Sequence, residues 1–187
     1  MSTREKIAAS ADDLFYEQGF EATSFADIAS DVGISRGNFY HHFKAKDDIL
    51  DAVIDRRIVK TQKMLESWDA DGKTPLERIG CFIRILIRNR AKITNYGCPV
   101  GTLVSELGKL NHVGQSRANA LFSMFSDWLV EQFRALGCND EDALKHARHL
   151  LARSQGVATL SQALRDDAFI ESEVDLMLEY AAAAAPK

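Results

Sequence analysis

Apolar residues recur along this chain at helical spacing, and almost nothing interrupts them. Its 187 residues include three prolines and eleven glycines. A chain so poor in breakers, with no stretch that alternates apolar and polar, folds as helices. The boundaries are legible as well. Ser2 to Glu5 reads S-x-x-E, in which the serine oxygen caps free N–H groups and the glutamate caps back. Ile7, Ala11, Leu14 and Phe15 then form an apolar stripe, and Gly19 stands where a C-terminal glycine cap belongs. Ser24 with Asp27 opens a short second helix whose inner stripe is Phe25, Ile28, Ala29 and Val32. Gly33 ends it, because a residue without Cβ takes positive φ in a tight turn. Ser35 caps a third helix of about two turns, Arg36 to Phe43.

From Asp47 the helices lengthen. The fourth is expected to run to about Trp68 and to be broken by a loop over 69–73. Thr74-Pro75-Leu76-Glu77 starts the fifth, with a threonine cap, proline at the first helical position and glutamate at the third. Further helices are expected over roughly 99–110, 114–136, 140–164 and 168–182. The alanine run 181–185 reads as a tail that frays. The fold class is all-α, with about nine helices. Leu121, Phe122, Phe125, Trp128, Leu129 and Phe133 give the seventh helix a wide apolar surface, which suits a central, mostly buried position.

Composition excludes several function classes. With 46% hydrophobic residues the chain is long enough to build a real core. The longest uncharged stretch, 93–105, is too short and too polar to span a bilayer, so no membrane association is expected. Three cysteines (Cys81, Cys98, Cys138), an odd number without C-x-x-C spacing, point to free thiols in a reducing cytoplasm. The net charge of −4 argues against binding nucleic acid by bulk positive charge. Residues 1–60 alone hold eight cations and eleven anions. Any DNA contact must therefore be a focused patch: Arg36, Lys44 and Lys46, aided by the N–H groups at the starts of the second and fourth helices.

Two short helices joined by a tight glycine turn make a helix-turn-helix, which places its second helix in the major groove. Phe39 and Phe43, four apart, must face the small core with Ile28 and Val32. At about 100° per residue, Gly37 and His41 then lie on the opposite side, flanked by Asn38 and Tyr40, with Arg36 projecting from the first turn. Such a face suits base edges: arginine pairs with guanine, asparagine with adenine, and an aromatic ring packs on a thymine methyl. Arg36, Gly37, Asn38, Tyr40 and His41 are the candidate reading surface, and Thr23, Ser24, Lys44 and Lys46 the candidate phosphate contacts.

The run Ile28-Ala-Ser-Asp-Val-Gly-Ile-Ser-Arg-Gly-Asn-Phe-Tyr-His-His-Phe-Lys-Ala-Lys46 resembles the signature of the tetracycline-repressor family of bacterial transcription regulators. The preceding Phe15-Tyr-Glu-Gln-Gly-Phe-Glu-Ala-Thr-Ser is similar to that family's end of the first helix. The match covers about the first quarter of the chain. The resemblance implies a homodimer with a DNA-binding domain over 1–46 and an effector-binding and dimerisation domain over 47–187. It implies a ligand-responsive regulator, a repressor released from a pseudopalindromic double-stranded operator by a small molecule. It also implies that the last two helices form the dimer bundle. There a stripe of Ala147, Leu151, Ser154 and Ala158 would let helices approach closely, with Leu176, Met177 and Tyr180 supplying bulk.

The effector pocket is expected near Phe82, Phe125 and Trp128, lined by Cys98, and suited to an apolar or aromatic ligand. Core packing accounts for the same rings equally well. Cys98 carries the rival reading. It stands at the start of a helix between Gly97 and Pro99, where the positive helix end favours a thiolate. A Gly-Cys pair there resembles a branch of the family whose members sense electrophiles or oxidants. Pro99, which removes an N–H donor, and the lack of a nearby sequence cation argue against it. A cysteine-dependent enzyme is the weaker alternative, since no G-x-S-x-G, H-E-x-x-H or phosphate-binding glycine loop is present. A DNA-binding protein without effector leaves the large second region unexplained. No cofactor and no metal are expected. Adjacent His41 and His42 point some 100° apart, and His146 with His149 lacks a third ligand.

Overall fold

The computed structural model describes residues 1–185, and every regular element among them is a helix. In chain order these are α1 (Thr3–Glu17), α2 (Phe25–Val32), α3 (Arg36–His42), α4 (Lys46–Asp71), α5 (Pro75–Ile83), α6 (Ile85–Arg88), α7 (Arg90–Tyr96), α8 (Pro99–Lys109), α9 (Gln115–Ala135), α10 (Asp140–Leu164) and α11 (Asp167–Ala183). The segments α5 to α7 are one helix with two interruptions. At Arg84 and Asn89 the backbone flattens to ψ of −6° and 12°. The bonds from Arg88 N to Arg84 O (3.1 Å) and from Ile93 N to Asn89 O (2.9 Å) nevertheless carry the ladder across both points. Counted this way the described residues form nine helices, in line with the about nine that the sequence predicts.

The cap signals act as read. Ser2 with Glu5, Ser24 with Asp27 and Thr74 with Glu77 all close reciprocal capping boxes. Two boundaries differ from expectation. Helix α4 continues through Asp71, beyond the expected break at residue 69, and Gly72 N still bonds Trp68 O at 3.0 Å. The alanine run is docked where fraying was expected: Ala181 is fully buried, and the buried Cys138 thiol donates to Ala184 O at 3.4 Å. Burial, with Asp142 nearby, raises the pKa of that thiol. Residues 186–187 lie outside the described residues.

The chain divides into two compact units. The first comprises residues 1–60 and 99–121, so α1 to α3 pack together with the first half of α4, with α8 and with the start of α9. Its core holds Ile7, Phe15, Phe20, Ile28, Phe39, Phe43, Ile49, Leu50, Val53, Ile54, Leu103, Leu107 and Ala118. Beside that core lies a cluster of three cations around one carboxylate. Asp12 accepts from Arg57 Nε (2.7 Å) and Lys60 Nζ (3.0 Å), with Arg56 Nε at 3.6 Å. Arg57 also donates to the carbonyl of Pro99 at 2.5 Å.

The second unit comprises residues 61–98 and 122–187. Within it α10 packs on α7 and α11, and α11 on α5 to α7. Thr94 donates to Asp167 Oδ1 (2.6 Å) and lies 3.0 Å from the buried Ser161 hydroxyl, which ties α7 to the α10–α11 corner. His146 Nδ1 lies 2.6 Å from the Tyr180 hydroxyl, and His149 stacks on the Tyr180 ring at 4.2 Å. Burial lowers the His146 pKa and raises that of Tyr180. The small-residue stripe corrects the sequence reading. Ala147, Ser154 and Ala158 are already buried inside a single chain, as is Met177. The large apolar side chains that α10 and α11 leave exposed are Leu144, Leu160, Leu164 and Leu176.

Candidate functional site

Local chemistry fixes the recognition element. The Ser24 hydroxyl accepts from Asp27 N at 3.2 Å, and Asp27 accepts from Ser24 N at 2.8 Å, so α2 starts at one register. The Ser24 hydroxyl also donates to the Asp27 carboxylate at 2.6 Å, and this bond first, then the one from Ser24 N, holds the carboxyl below its ordinary pKa. Gly33 sits at φ 72°, ψ 36°, a left-handed conformation that glycine adopts without strain. Ser35 then accepts from Asn38 N at 3.3 Å and starts α3. Phe39 and Phe43 are buried, and Phe25 packs on Phe39 with ring centroids 5.3 Å apart. The far end of α3 is tied to α1 by Arg4, which donates to His42 O at 2.5 Å and lies 4.0 Å over the Phe43 ring.

Inward Phe39 and Phe43 turn the rest of α3 outward, as the periodicity predicts. Arg36, Gly37, Asn38 and His41 are all exposed, and a Cβ at Gly37 would meet nothing within 4 Å. Tyr40 is 44% exposed and braced edge-on by Phe25 at 5.5 Å, so its hydroxyl is held out on a fixed ring. Lys44 is exposed, and its ammonium folds back to Tyr40 O at 2.5 Å. Lys46 is half-buried, with Nζ donating to Glu21 O at 2.9 Å and lying 4.6 Å over the Phe20 ring. Glu21, Ser24, Phe25, Arg36, Tyr40 and Lys46 line a cleft of about 450 Å³ between the starts of α2 and α3.

Two expectations need correction. Thr23 is 1% exposed, and its hydroxyl donates inward to Gly19 O at 2.7 Å. It secures the turn before α2 and presents no side-chain oxygen to a phosphate. The helix starts are also less open than expected. Asp27 occupies Ser24 N, and Asp48 accepts from both Lys44 N (3.2 Å) and Ala45 N (3.0 Å) ahead of α4. Positive charge at this face therefore rests on side chains: Arg36, Lys44 and Lys46. Sequence reasoning missed Arg4, because nothing local links it to residues 38 positions away.

The second unit brings together three of the four residues expected at an effector site. Phe82 and Phe125 lie 5.8 Å apart, centroid to centroid. Trp68 joins both at 6.4 Å and meets Trp128 at 5.5 Å. Trp68 was outside the expected set, although its helical register continues from Leu65. Trp128 Nε1 donates to Asp69 Oδ1 at 3.0 Å, which gives the ring cluster one polar edge. Cys98 is half-buried and follows Gly97, whose φ is 78°. Among the described residues no group of three or more His, Cys, Asp or Glu is placed to hold a metal ion. None of their helices is long and apolar enough to cross a membrane.

Comparison with known proteins agrees with this geometry. Residues 7–53 match the model for bacterial regulatory proteins of the tetR family. Residues 75–173 match the C-terminal domain of LmrA/YxaF-like transcriptional regulators. The HTH-type transcriptional regulator of the lacX 3′ region of Lactococcus lactis subsp. lactis is 31% identical over 179 residues, 94% of this chain and 91% of that one. The HTH-type transcriptional repressor BepR of Brucella suis biovar 1 is 36% identical over 75 residues, 40% of this chain and 36% of its own. A crystal structure of a TetR transcriptional regulator from Legionella pneumophila superposes with a TM-score of 0.86 at 26% identity, covering 96% of this chain and 97% of that one.

Proposed function

The chain belongs to the tetR family of bacterial regulatory proteins, and from that premise we propose how this ligand-responsive, DNA-binding transcriptional repressor works. It binds a pseudopalindromic operator as a homodimer, with residues 1–46 as the DNA-binding domain and 47–187 as the effector and dimerisation domain. The first compact unit crosses that functional boundary because α4, α8 and α9 supply part of its core. A transcriptional repressor of this kind acts in the cytoplasm, where its operator is.

The observation that carries the reading is the outward row on α3, held by two buried phenylalanines on its inner side. In this reading Arg36, Asn38, Tyr40 and His41 meet base edges, and Gly37 lets the helix approach the groove floor. Ser24, Lys44 and Lys46 hold phosphates. A dimer doubles this small patch, which offsets a net charge of −4. The test is a salt titration of operator binding by fluorescence anisotropy. Lys44→Ala should weaken all duplexes alike and lower the salt slope by about one unit per subunit. Asn38→Ala should leave the slope and relax one base position, at a cost of ~1–3 kcal/mol there. The same uniform loss in both variants contradicts the division of labour.

The effector, an apolar or aromatic molecule, binds at Phe82, Phe125 and Trp128, with Cys98 as a lining residue. The four-ring cluster with Asp69 at its edge supports this reading. A ligand releases operator only through a difference in affinity between the DNA-bound and released states. A compound that releases operator should therefore change the fluorescence of Trp68 and Trp128. Release with unchanged emission would move the pocket elsewhere.

A further inference from the structure

We propose that Glu106 of α8 is a positioning residue for DNA binding, which sets the Lys46 ammonium at the phosphate-facing cleft through the backbone of residues 19–21. The inference rests on the reading of Lys46 as a phosphate contact. Glu106 takes the two N–H groups that open the α1–α2 connection: Oε2 accepts from Phe20 N at 2.9 Å and Oε1 from Glu21 N at 2.8 Å. Successive peptide N–H groups converging on one carboxylate form a rigid, charge-assisted clamp. The chain is shaped for it. Gly19 stands at φ 95°, and a Cβ there would lie 3.2 and 3.3 Å from the two carboxylate oxygens.

The clamped residues in turn hold Lys46. Its ammonium donates to the carbonyl of Glu21 at 2.9 Å and rests 4.6 Å over the ring of Phe20. Both groups that locate the ammonium therefore belong to the two residues whose N–H groups Glu106 binds. An ammonium has three donors, and one bond to Glu21 leaves others for a phosphate. Glu21 and Lys46 line the cleft with Ser24, Arg36 and Tyr40, so a shift of this turn moves a cation at the DNA face. Through its charge alone, Glu106 repels DNA, and its removal tightens binding. A positioning role predicts the opposite sign.

The experiment uses the full-length dimer and an operator selected from a pool of random duplexes, titrated between about 50 and 200 mM salt, the span over which phosphate contacts dominate affinity. Lys46→Ala should lower the salt slope by about one unit per subunit. Glu106→Ala should lower it by a similar amount and weaken binding about tenfold, the scale of one charge-assisted hydrogen bond. The double variant should bind no more weakly than Lys46→Ala alone. Glu106→Gln, which keeps one acceptor oxygen, should recover part of the loss, and it serves as the second variant if Glu106→Ala does not fold. Unchanged or tighter binding by a folded Glu106 variant, or additive losses in the double variant, overturns the proposal while leaving the Lys46 contact intact. An unchanged slope in Lys46→Ala removes the phosphate contact itself and the proposal with it.

Discussion

Charging the outer side of α10 will separate the dimer and abolish useful operator binding. Leu160 and Leu164 lie one helical turn apart and are 49% and 64% exposed in a single chain. Leu176 on α11 is exposed as well. Side chains of this size gain little by facing water, and we propose that a second copy of the chain covers them. The double substitution Leu160→Glu with Leu164→Glu costs the monomer little, because both positions are already open to solvent. Across a two-fold axis it sets four carboxylates against one another. Sedimentation should then report a species of 20.8 kDa. Operator affinity should fall about a hundred- to ten-thousandfold, since one recognition helix no longer holds its partner near the second half-site. A dimer mass retained in the double variant would place the interface elsewhere.

Asp12→Asn should unfold the first unit more readily than any exposed change on the DNA face. Asp12 and Arg57 are each 7% exposed, and the carboxylate answers three cations at once. An asparagine has nearly the same shape and no charge, so the substitution leaves Arg57 buried with the Pro99 carbonyl and a neutral amide. Breaking one side of a buried ion pair typically costs ~3–5 kcal/mol, because the remaining charge stays desolvated. Arg56 strengthens the case, for its buried Nε has no hydrogen-bond partner among the described residues and relies on the Asp12 charge 3.6 Å away. Chemical denaturation followed by circular dichroism reads the effect directly. A loss below ~1 kcal/mol, the range of exposed ion pairs, would mean that the cluster is solvated in solution.

Sequence legibility followed the range of the interactions involved. Capping boxes, the glycine turn and the inward pair Phe39 and Phe43 depend on residues within a few positions, so the recognition helix and its outward side could be read directly. The resemblance in residues 15–46 added the dimer and the effector. What escaped were contacts between distant segments. Arg4 clamps the end of α3 across 38 residues, Glu106 binds Phe20 and Glu21 across 86 and 85, and Asp12 pairs with Arg57 across 45. Periodicity says which side of a helix is apolar and not what covers it. That is why Ala147, Ser154 and Ala158 read as a surface between protomers but pack inside one chain. Thr23 is ambiguous in sequence for a similar reason, since a hydroxyl beside a helix start suits a phosphate or a carbonyl, and here Gly19 O takes it.

In the proposed mode of binding, α3 reads a two-fold DNA site by its outward side chains. Selection of binding sequences from a random duplex pool by the intact protein tests it most directly. The wild type should enrich a pseudopalindrome whose half-sites lie about one helical turn, or a multiple of it, apart. Lys44→Ala should enrich the same sequence more weakly, and Asn38→Ala should lose preference at one symmetry-related pair of positions. An enriched sequence without two-fold symmetry, or the same base preferences in Asn38→Ala as in the wild type, would contradict the account.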